Sequence, residues 1–346
     1  MKPAASGPDA GPRTLPEALP DAVFDVFNGD ADGICALHQL RLAEPKRARL
    51  LTGVKRDIAL LERLPAGAAL DVTVLDISLD CNAAPLKRIL DAGGRVAYFD
   101  HHSASLAFSH PRLDFFWDDD AQVCSSILVD RHLGGRFRAW AAVGAFGDNL
   151  DAAGRALAAQ LGLAEAEVLA LRELGSVLNY NAYGEQLADL HMEPEALYRA
   201  VQAYADPLAF IAGAPQYRAL LEGYHADRAR MAGLQPRWRT PGGAVFLLPA
   251  APWARRVSGI LANELIAARR ALSCAVLSEN RDGSYLVSVR SGEPAQLPAC
   301  ALCERFRGGG GRRAAAGITS LPAAQLEHFV AAFSAYFAAG AGGHAC

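Results

Sequence analysis

No lysine follows Lys87, no apolar run is long enough to cross a membrane, and the cysteines form no paired pattern. Each absence removes a class of protein. A membrane helix needs about 18 or more consecutive apolar residues, so no membrane partner is expected. Residues 1–20 are rich in Pro, Ala and Gly without an apolar stretch, so they read as a flexible tail rather than a secretory signal, and residues 340–346 read as another. The seven cysteines (Cys35, Cys81, Cys124, Cys274, Cys300, Cys303, Cys346) are odd in number and scattered, which favours a reducing, cytoplasmic setting over a disulfide scaffold. Cys300 and Cys303 form a lone CxxC, a weak metal or redox signal without a second pair. The basic residues beyond Val201 are all arginine, so the array of lysines and aromatics that tracks a long nucleic-acid strand is missing. Solenoid-type repeats are missing too.

What is present fits two ordinary domains. The 346 residues are 51% hydrophobic and 21% charged, the balance of a globular protein with a core in each half. The net charge of −3 conceals a division. Residues 201–346 hold 15 Arg against 9 Asp and Glu, while the first 200 hold 19 basic and 28 acidic residues. An acidic half joined to a basic half suggests that cations are held on one side and anions on the other.

The first third repeats one pattern, an apolar run that ends in an acidic residue. Residues 22–27 lead to Asp30 and Asp32, residues 72–75 to Asp76, and residues 96–99 to Asp100, His101 and His102. Helical patterns at 34–42 and 83–92 lie between them. Strands alternating with helices at this spacing predict βαβ units and a mostly parallel sheet, with ligands bound beyond the carboxyl ends of the strands. Residues 139–191 and 194–231 read as helical. Further on, 244–248 reads as a strand, 257–270 as a helix, 274–278 and 285–290 as a hairpin, and Ser320 with Pro322 as the start of a last helix. The expected fold is α/β. Residues 21–192 would form a parallel-sheet domain, 193–235 a helical linker, and 236–339 a smaller mixed α/β domain, with a cleft between the two domains.

Asp30 and Asp32 lie two residues apart just past a strand, so both can face one way. Asp76, Asp100, His101, His102 and Asp148 would join them from neighbouring elements. Hard carboxylate oxygens with one or two imidazoles suit Mn²⁺ or Mg²⁺ better than a structural zinc. Two such ions, about 3.5–4 Å apart, would polarise a phosphoryl group, with a bridging hydroxide as nucleophile. A single loop Asp is more often a cap or turn residue, but that explanation weakens for so many strand-end carboxylates together.

In this order the residues resemble the DHH phosphoesterase family, named for the triplet Asp100-His101-His102. The first motif, often HxNPDxDG, stands here as Val26-Phe27-Asn28-Gly29-Asp30-Ala31-Asp32-Gly33. Asp76 is the second, and Gly144-Ala145-Phe146-Gly147-Asp148-Asn149 the fourth. Ser125 and Ser126 fall where the family often carries small residues. The second half resembles the DHH-associated C-terminal domain, through Ser288-Val289-Arg290-Ser291 and the glycine-rich run from Gly309, Gly310 and Gly311 through Arg312, Arg313 and Ala314-Ala315-Ala316-Gly317. The resemblance implies two ions, one on Asp30 and Asp76, the other on Asp32, Asp76, His101 and Asp148. It implies that Asp100 orients His101, and that His102 faces the substrate phosphate as hydrogen-bond donor or acid. Asn28, Arg290, Ser291, the three glycines, Arg312 and Arg313 would bind substrate, the glycine loop offering N–H groups to an anion. Two residues depart from the pattern: Val26 stands where many members carry a metal-binding His, and Arg312 where the second domain carries a His.

The implied activity is metal-dependent hydrolysis of phosphoesters in short oligonucleotides or phosphorylated nucleotides, by a nuclease-type hydrolase in the cytoplasm, with a homodimer as one possible assembly. The alternatives are a polyphosphate or pyrophosphate hydrolase, a RecJ-like single-strand exonuclease, and a non-catalytic nucleotide-binding regulator that Val26 and Arg312 would suit.

Overall fold

The computed structural model describes residues 22–104, 109–268 and 272–341. The tail at 1–20, residues 342–346 of the second tail, and 269–270 at the end of an expected helix lie outside the described residues.

The first sheet has five strands, all parallel: β1 (Val23–Phe27), β2 (Arg49–Leu51), β3 (Asp71–Leu75), β4 (Arg95–Asp100) and β5 (Leu113–Trp117), in the order β2-β1-β3-β4-β5. Parallel strands need crossovers, and α1 (Ala31–Ala43) and α2 (Leu79–Asp91) supply two of them. With both faces covered, the central strands are apolar almost throughout. Phe24, Val26, Val72, Val74, Val96 and Tyr98 pack on the α2 face with Leu86 and Ile89. Phe27, Leu75 and Phe99 point the other way, into a helical layer. That layer contains α1, α3 (Ser125–His132), α4 (Arg138–Gly147), α5 (Asp151–Gln160) and α6 (Glu165–Asn181).

Three further helices follow: α7 (Pro194–Val201), α8 (Pro207–Gly213) and α9 (Pro215–Met231). Proline opens each one, where its missing N–H leaves nothing unsatisfied. The second sheet is mixed. It contains β6 (Trp238–Thr240), β7 (Gly243–Leu248), β8 (Ser273–Glu279), β9 (Tyr285–Arg290), β10 (Gly309–Gly311) and β11 (Ala315–Leu321), in the order β10-β11-β9-β8-β7-β6. Only β7 and β8 pair in parallel, joined by α10 (Pro252–Ala268). The other face of this sheet carries α11 (Ala299–Cys303) and α12 (Leu326–Ala341), with Phe329, Phe333 and Phe337 buried against it. The last helix thus begins four residues after Pro322, because β11 runs on to Leu321, and it ends one residue beyond Gly340. Cys303 is packed in this core. No helix among the described residues is long and apolar enough to cross a membrane.

The helical layer of the first half and α10 of the second share one apolar cluster. At its middle, His38 of α1 lies edge-on to Trp140, with ring centroids 4.8 Å apart, and its Nε2 donates to the Tyr204 carbonyl at 2.8 Å. Burial lowers the pKa of His38 to about 4, despite the carbonyl partner. The folded-state value lies below the unfolded one, so the contribution is complete above about pH 6.5 and is lost as pH falls toward 4, by up to about 3 kcal/mol. Denaturant titrations at pH 7.5 and 4 are expected to show a smaller acid loss for His38→Gln than for wild type. Parallel losses in the two proteins would refute this role.

Candidate metal centre

The chain leaves β1 to form β2 on one side and returns to form β3 on the other. The carboxyl ends of β1 and β3 therefore flank a topological switch point, where sheets of this kind open a crevice. Asp30 follows β1 and caps α1, its Oδ1 accepting the N–H groups of Asp32 at 3.0 Å and Gly33 at 3.1 Å. Gly33 has no substitute there, because a Cβ would lie 2.2 Å from the Asn28 carbonyl oxygen. Asp76 follows β3 with φ of 59°, a left-handed turn that aspartate tolerates better than most residues. Asp100 closes β4, and Asp148 caps the end of α4.

The N-terminus of α3 fixes Asp32. Its two oxygens accept the N–H groups of Ser125 and Ser126, each at 2.8 Å, and the Ser126 hydroxyl donates to its carbonyl at 2.9 Å. The Ser125 hydroxyl donates to Asp76 Oδ1 at 3.3 Å. The two small residues noted in the sequence thus act as a backbone clamp on the carboxylates. Gly144 lets α4 approach, since a Cβ there would meet the Ser126 hydroxyl at 2.1 Å.

His101 gathers the cluster. Its Nε2 lies 3.3 Å from Asp76 Oδ1, 3.8 Å from Asp148 Oδ2 and 3.9 Å from Asp32 Oδ2. Asp76, His101 and His102 also bring one donor atom each to within 4.8 Å of one another. On the far side, the Lys55 ammonium contacts Asp30 Oδ2, donates to Asn179 Oδ1 at 3.1 Å and lies 4.0 Å from Asp148 Oδ1.

The electrostatics invite a cation. Burial, then the neighbouring Asp30 and Asp32, hold the Asp76 carboxyl well above the ordinary range. Burial also raises Asp148, against the opposing pull of Lys55 and His101. For Asp30 burial acts upward as well, but Lys55 outweighs it and the net shift is downward. Asp30 has a fixed ammonium against it, while burial leaves the charges of Asp76 and Asp148 only partly offset. An all-oxygen set completed by imidazole, with this deficit, fits a hard divalent ion such as Mn²⁺ or Mg²⁺.

The resemblance implies that Asp100 orients His101; here its Oδ1 accepts the N–H groups of His101 at 2.9 Å and His102 at 3.3 Å and also lies 2.7 Å from the ring Nδ1 of His102. The turn after β4 folds the His102 ring back over the carboxylate, and the His101 Nδ1 is buried without a hydrogen-bond partner.

The expected substrate groups divide. Asn28 is buried beside the cluster, accepting the Asp30 N–H at 3.3 Å and donating to the Lys55 carbonyl at 3.3 Å. Arg290 Nε donates to Asn263 at 2.9 Å, and Asn263 donates to Asn149 at 3.2 Å, which links the arginine across to the residue beside Asp148. The others make their hydrogen bonds within the second half. The Ser291 hydroxyl donates to the Leu297 carbonyl at 2.6 Å, Arg313 to the Ala295 carbonyl at 2.6 Å, and the Arg312 N–H to the Ala315 carbonyl at 2.8 Å. The expected anion loop at Gly309, Gly310 and Gly311 is instead the edge strand β10, paired with Ile318, Gly317 and Ala316. Close packing explains the glycines at both ends: a Cβ at Gly309 would lie 1.9 Å from the Cys303 carbonyl, and one at Gly311 2.6 Å from Ala316 Cα.

Between the halves, where a cleft was expected, lies a cavity of about 240 Å³ lined by Lys55, Arg56, Tyr183, Arg255, Ser278 and Ser288 among others, and sequence reasoning had not singled out Lys55, Arg56, Tyr183 or Arg255. Arg56 donates to Asn280 at 3.0 Å across this junction. Larger hollows on the surface, such as the one of about 630 Å³ beside Asp151 and Arg172, lack the carboxylate cluster.

No protein-family model matches the sequence, and no curated protein matches it. The fold does match solved structures, and its structural neighbours are DHH-family phosphoesterases. One is the exonuclease RecJ bound to manganese, with a TM-score of 0.59 at 18% identity over 93% of this chain and 92% of that one. RecJ from Thermus thermophilus, in complex with Mn²⁺, gives 0.61 at 19% identity over 92% of this chain and 52% of that one. The pGpG-specific phosphodiesterase PggH from Vibrio cholerae gives 0.55 at 13% identity over 92% of this chain and 99% of that one. At these identities what is shared is the fold, a parallel-sheet unit followed by a mixed one.

Proposed function

We propose that the chain is a DHH-type phosphoesterase that uses a divalent metal to hydrolyse short oligonucleotides or phosphorylated nucleotides. The observation that carries this reading is the convergence of Asp32, Asp76 and Asp148 on His101 Nε2, at 3.3–3.9 Å, from four separate segments at the switch point. A divalent ion held there would polarise a phosphoryl oxygen and acidify a water molecule, which are the two requirements of phosphoester hydrolysis. His102, held by Asp100 and partly exposed, would protonate the leaving oxygen. Arg290, tethered through Asn263, would meet the substrate's phosphate as a permanent cation. Lys55, Arg56 and Arg255 line the small cavity between the halves, and their charge suits a terminal phosphate or a short nucleotide. The neighbours' activities, an exonuclease and a pGpG phosphodiesterase, support phosphodiester cleavage.

The test is a substrate screen with Mn²⁺ on purified protein. It offers pGpG, a short RNA, a bis-phosphorylated adenosine, a long single-stranded DNA and polyphosphate, each with an EDTA control. Turnover of the dinucleotide or the short RNA, abolished by EDTA, is the expected result. Phosphate released from polyphosphate alone would select the polyphosphatase alternative, and processive degradation of long single strands the exonuclease. Ligand binding without any hydrolysis would select the regulator.

A further inference from the structure

The cation-binding groups divide unevenly, and Lys55 divides them. One position is faced by Asp32, Asp76, His101 and the Oδ2 of Asp148. The other, which the resemblance places on Asp30 and a shared Asp76, depends on Asp30, and there the Lys55 ammonium already touches Asp30, lies 4.0 Å from Asp148 Oδ1 and has Asn179 as a further acceptor at 3.1 Å. The second oxygen of Asp30 is committed to the N–H groups of Asp32 and Gly33. Val26, where the resemblance places a nitrogen ligand, is wholly buried in the apolar cluster on the α2 face and offers no donor. Lys55 is also pinned at its backbone. Its N–H donates to the Ala182 carbonyl at 2.9 Å, and its own carbonyl accepts from Asn28 at 3.3 Å. The ring of Tyr183 lies 5.7 Å from the ammonium.

We propose that this chain holds a single divalent ion, among Asp32, Asp76, His101 and Asp148, and that the Lys55 ammonium stands where a second ion would sit. The inference rests on the metal-dependent reading above and departs from the two-ion arrangement that the resemblance implies. The Lys55 ammonium already sits against Asp30 and lies 4.0 Å from Asp148 Oδ1. A second ion on Asp30 would meet the ammonium's repulsion at contact distance. The ammonium supplies a fixed charge and N–H donors for a phosphoryl oxygen, whereas it cannot act as a Lewis acid. Lewis-acid chemistry is thereby confined to the position around His101.

The experiment counts Mn²⁺ on the full chain by elemental analysis after equilibrium dialysis, alongside electron paramagnetic resonance of the bound ion. Wild type is expected to hold one Mn²⁺ per chain with an uncoupled spectrum. Lys55→Met, checked for folding by circular dichroism, is expected to hold two, with the spin coupling of ions about 3.5–4 Å apart. Two coupled ions in the wild type would overturn the single-ion proposal and leave the metal-dependent reading standing. A folded Lys55→Met that still holds one ion would also overturn it. No bound Mn²⁺ in the wild type would overturn both. The wild-type count stands even where the variant fails to fold.

Discussion

Replacing Asp76 with Asn is expected to lower Mn²⁺-dependent turnover by at least about 10³-fold, roughly 4 kcal/mol of transition-state stabilisation, without destabilising the metal-free protein. Asn matches Asp in shape and tolerates the left-handed turn at φ of 59°, so the backbone has no reason to move. The substitution removes one charge from the oxygen 3.3 Å from His101 Nε2. Burial, and then Asp30 and Asp32, hold the Asp76 carboxyl well above the ordinary range in the metal-free protein. The sign follows. An acid whose folded pKa is raised contributes stability that is complete below its unfolded value and is lost as pH rises through the folded one. The Asp76 contribution is therefore lost as pH rises toward neutral in the metal-free protein, and Asp76→Asn does not share that loss. Added Mn²⁺ is expected to raise the Tm of wild type and to leave the variant nearly unchanged. A variant that melts far below metal-free wild type would show instead that Asp76 is a structural residue.

His102→Asn carries the next largest effect, a fall of about 10²–10³-fold in kcat on pGpG. Burial works against the imidazolium, but the hydrogen bond to Asp100 and the charge of Asp76 hold the net pKa above its ordinary value, so a proton is available near neutrality. Trp117 fixes the loop by donating to the His102 carbonyl at 2.8 Å. If the ring delivers that proton to the leaving oxygen, the loss depends on the leaving group. An activated p-nitrophenyl phosphodiester leaves without a proton, and on it His102→Asn is expected to lose less than about tenfold. Equal losses on both substrates would mean that His102 holds the metal or the phosphate rather than supplying a proton. The second outcome has a structural basis, because His102 shares a donor group with Asp76 and His101.

Much of this centre was legible in the sequence because buried parallel strands are read as continuous apolar runs, and each of β1, β3 and β4 ends at or within a few residues of the acid that it delivers. The strands that went unread were the short edge strand β2, with three residues, and β5, whose side chains are only partly buried. Neither offers the pattern of a core strand. Lys55 was illegible for a different reason. It lies in an irregular segment after β2, and its partners Asp30 and Asn179 are 25 and 124 residues away, so no local periodicity marks it. Arg56 and Arg255, which line the cavity between the halves, share that difficulty. The strand at the glycine run was illegible because flexible loops and tightly packed edge strands both favour glycine, and the approach of Cys303 and Ala316 is what marks the packing at Gly309 and Gly311. Asp100 was placed at the strand end, while its contact with the His102 ring was not foreseen. Which ring a carboxylate meets depends on how the following turn folds, not on spacing.

The central claim is that a divalent ion sits among the carboxylates at the end of the first sheet and drives hydrolysis there. Anomalous scattering from crystals grown with Mn²⁺, measured on the low-energy side and the high-energy side of the manganese edge, tests it most directly. The expected result is a manganese peak bounded by Asp32, Asp76, His101 and Asp148, with the Lys55 ammonium still against Asp30. A manganese peak elsewhere, or none in the cluster at saturating Mn²⁺, would contradict it.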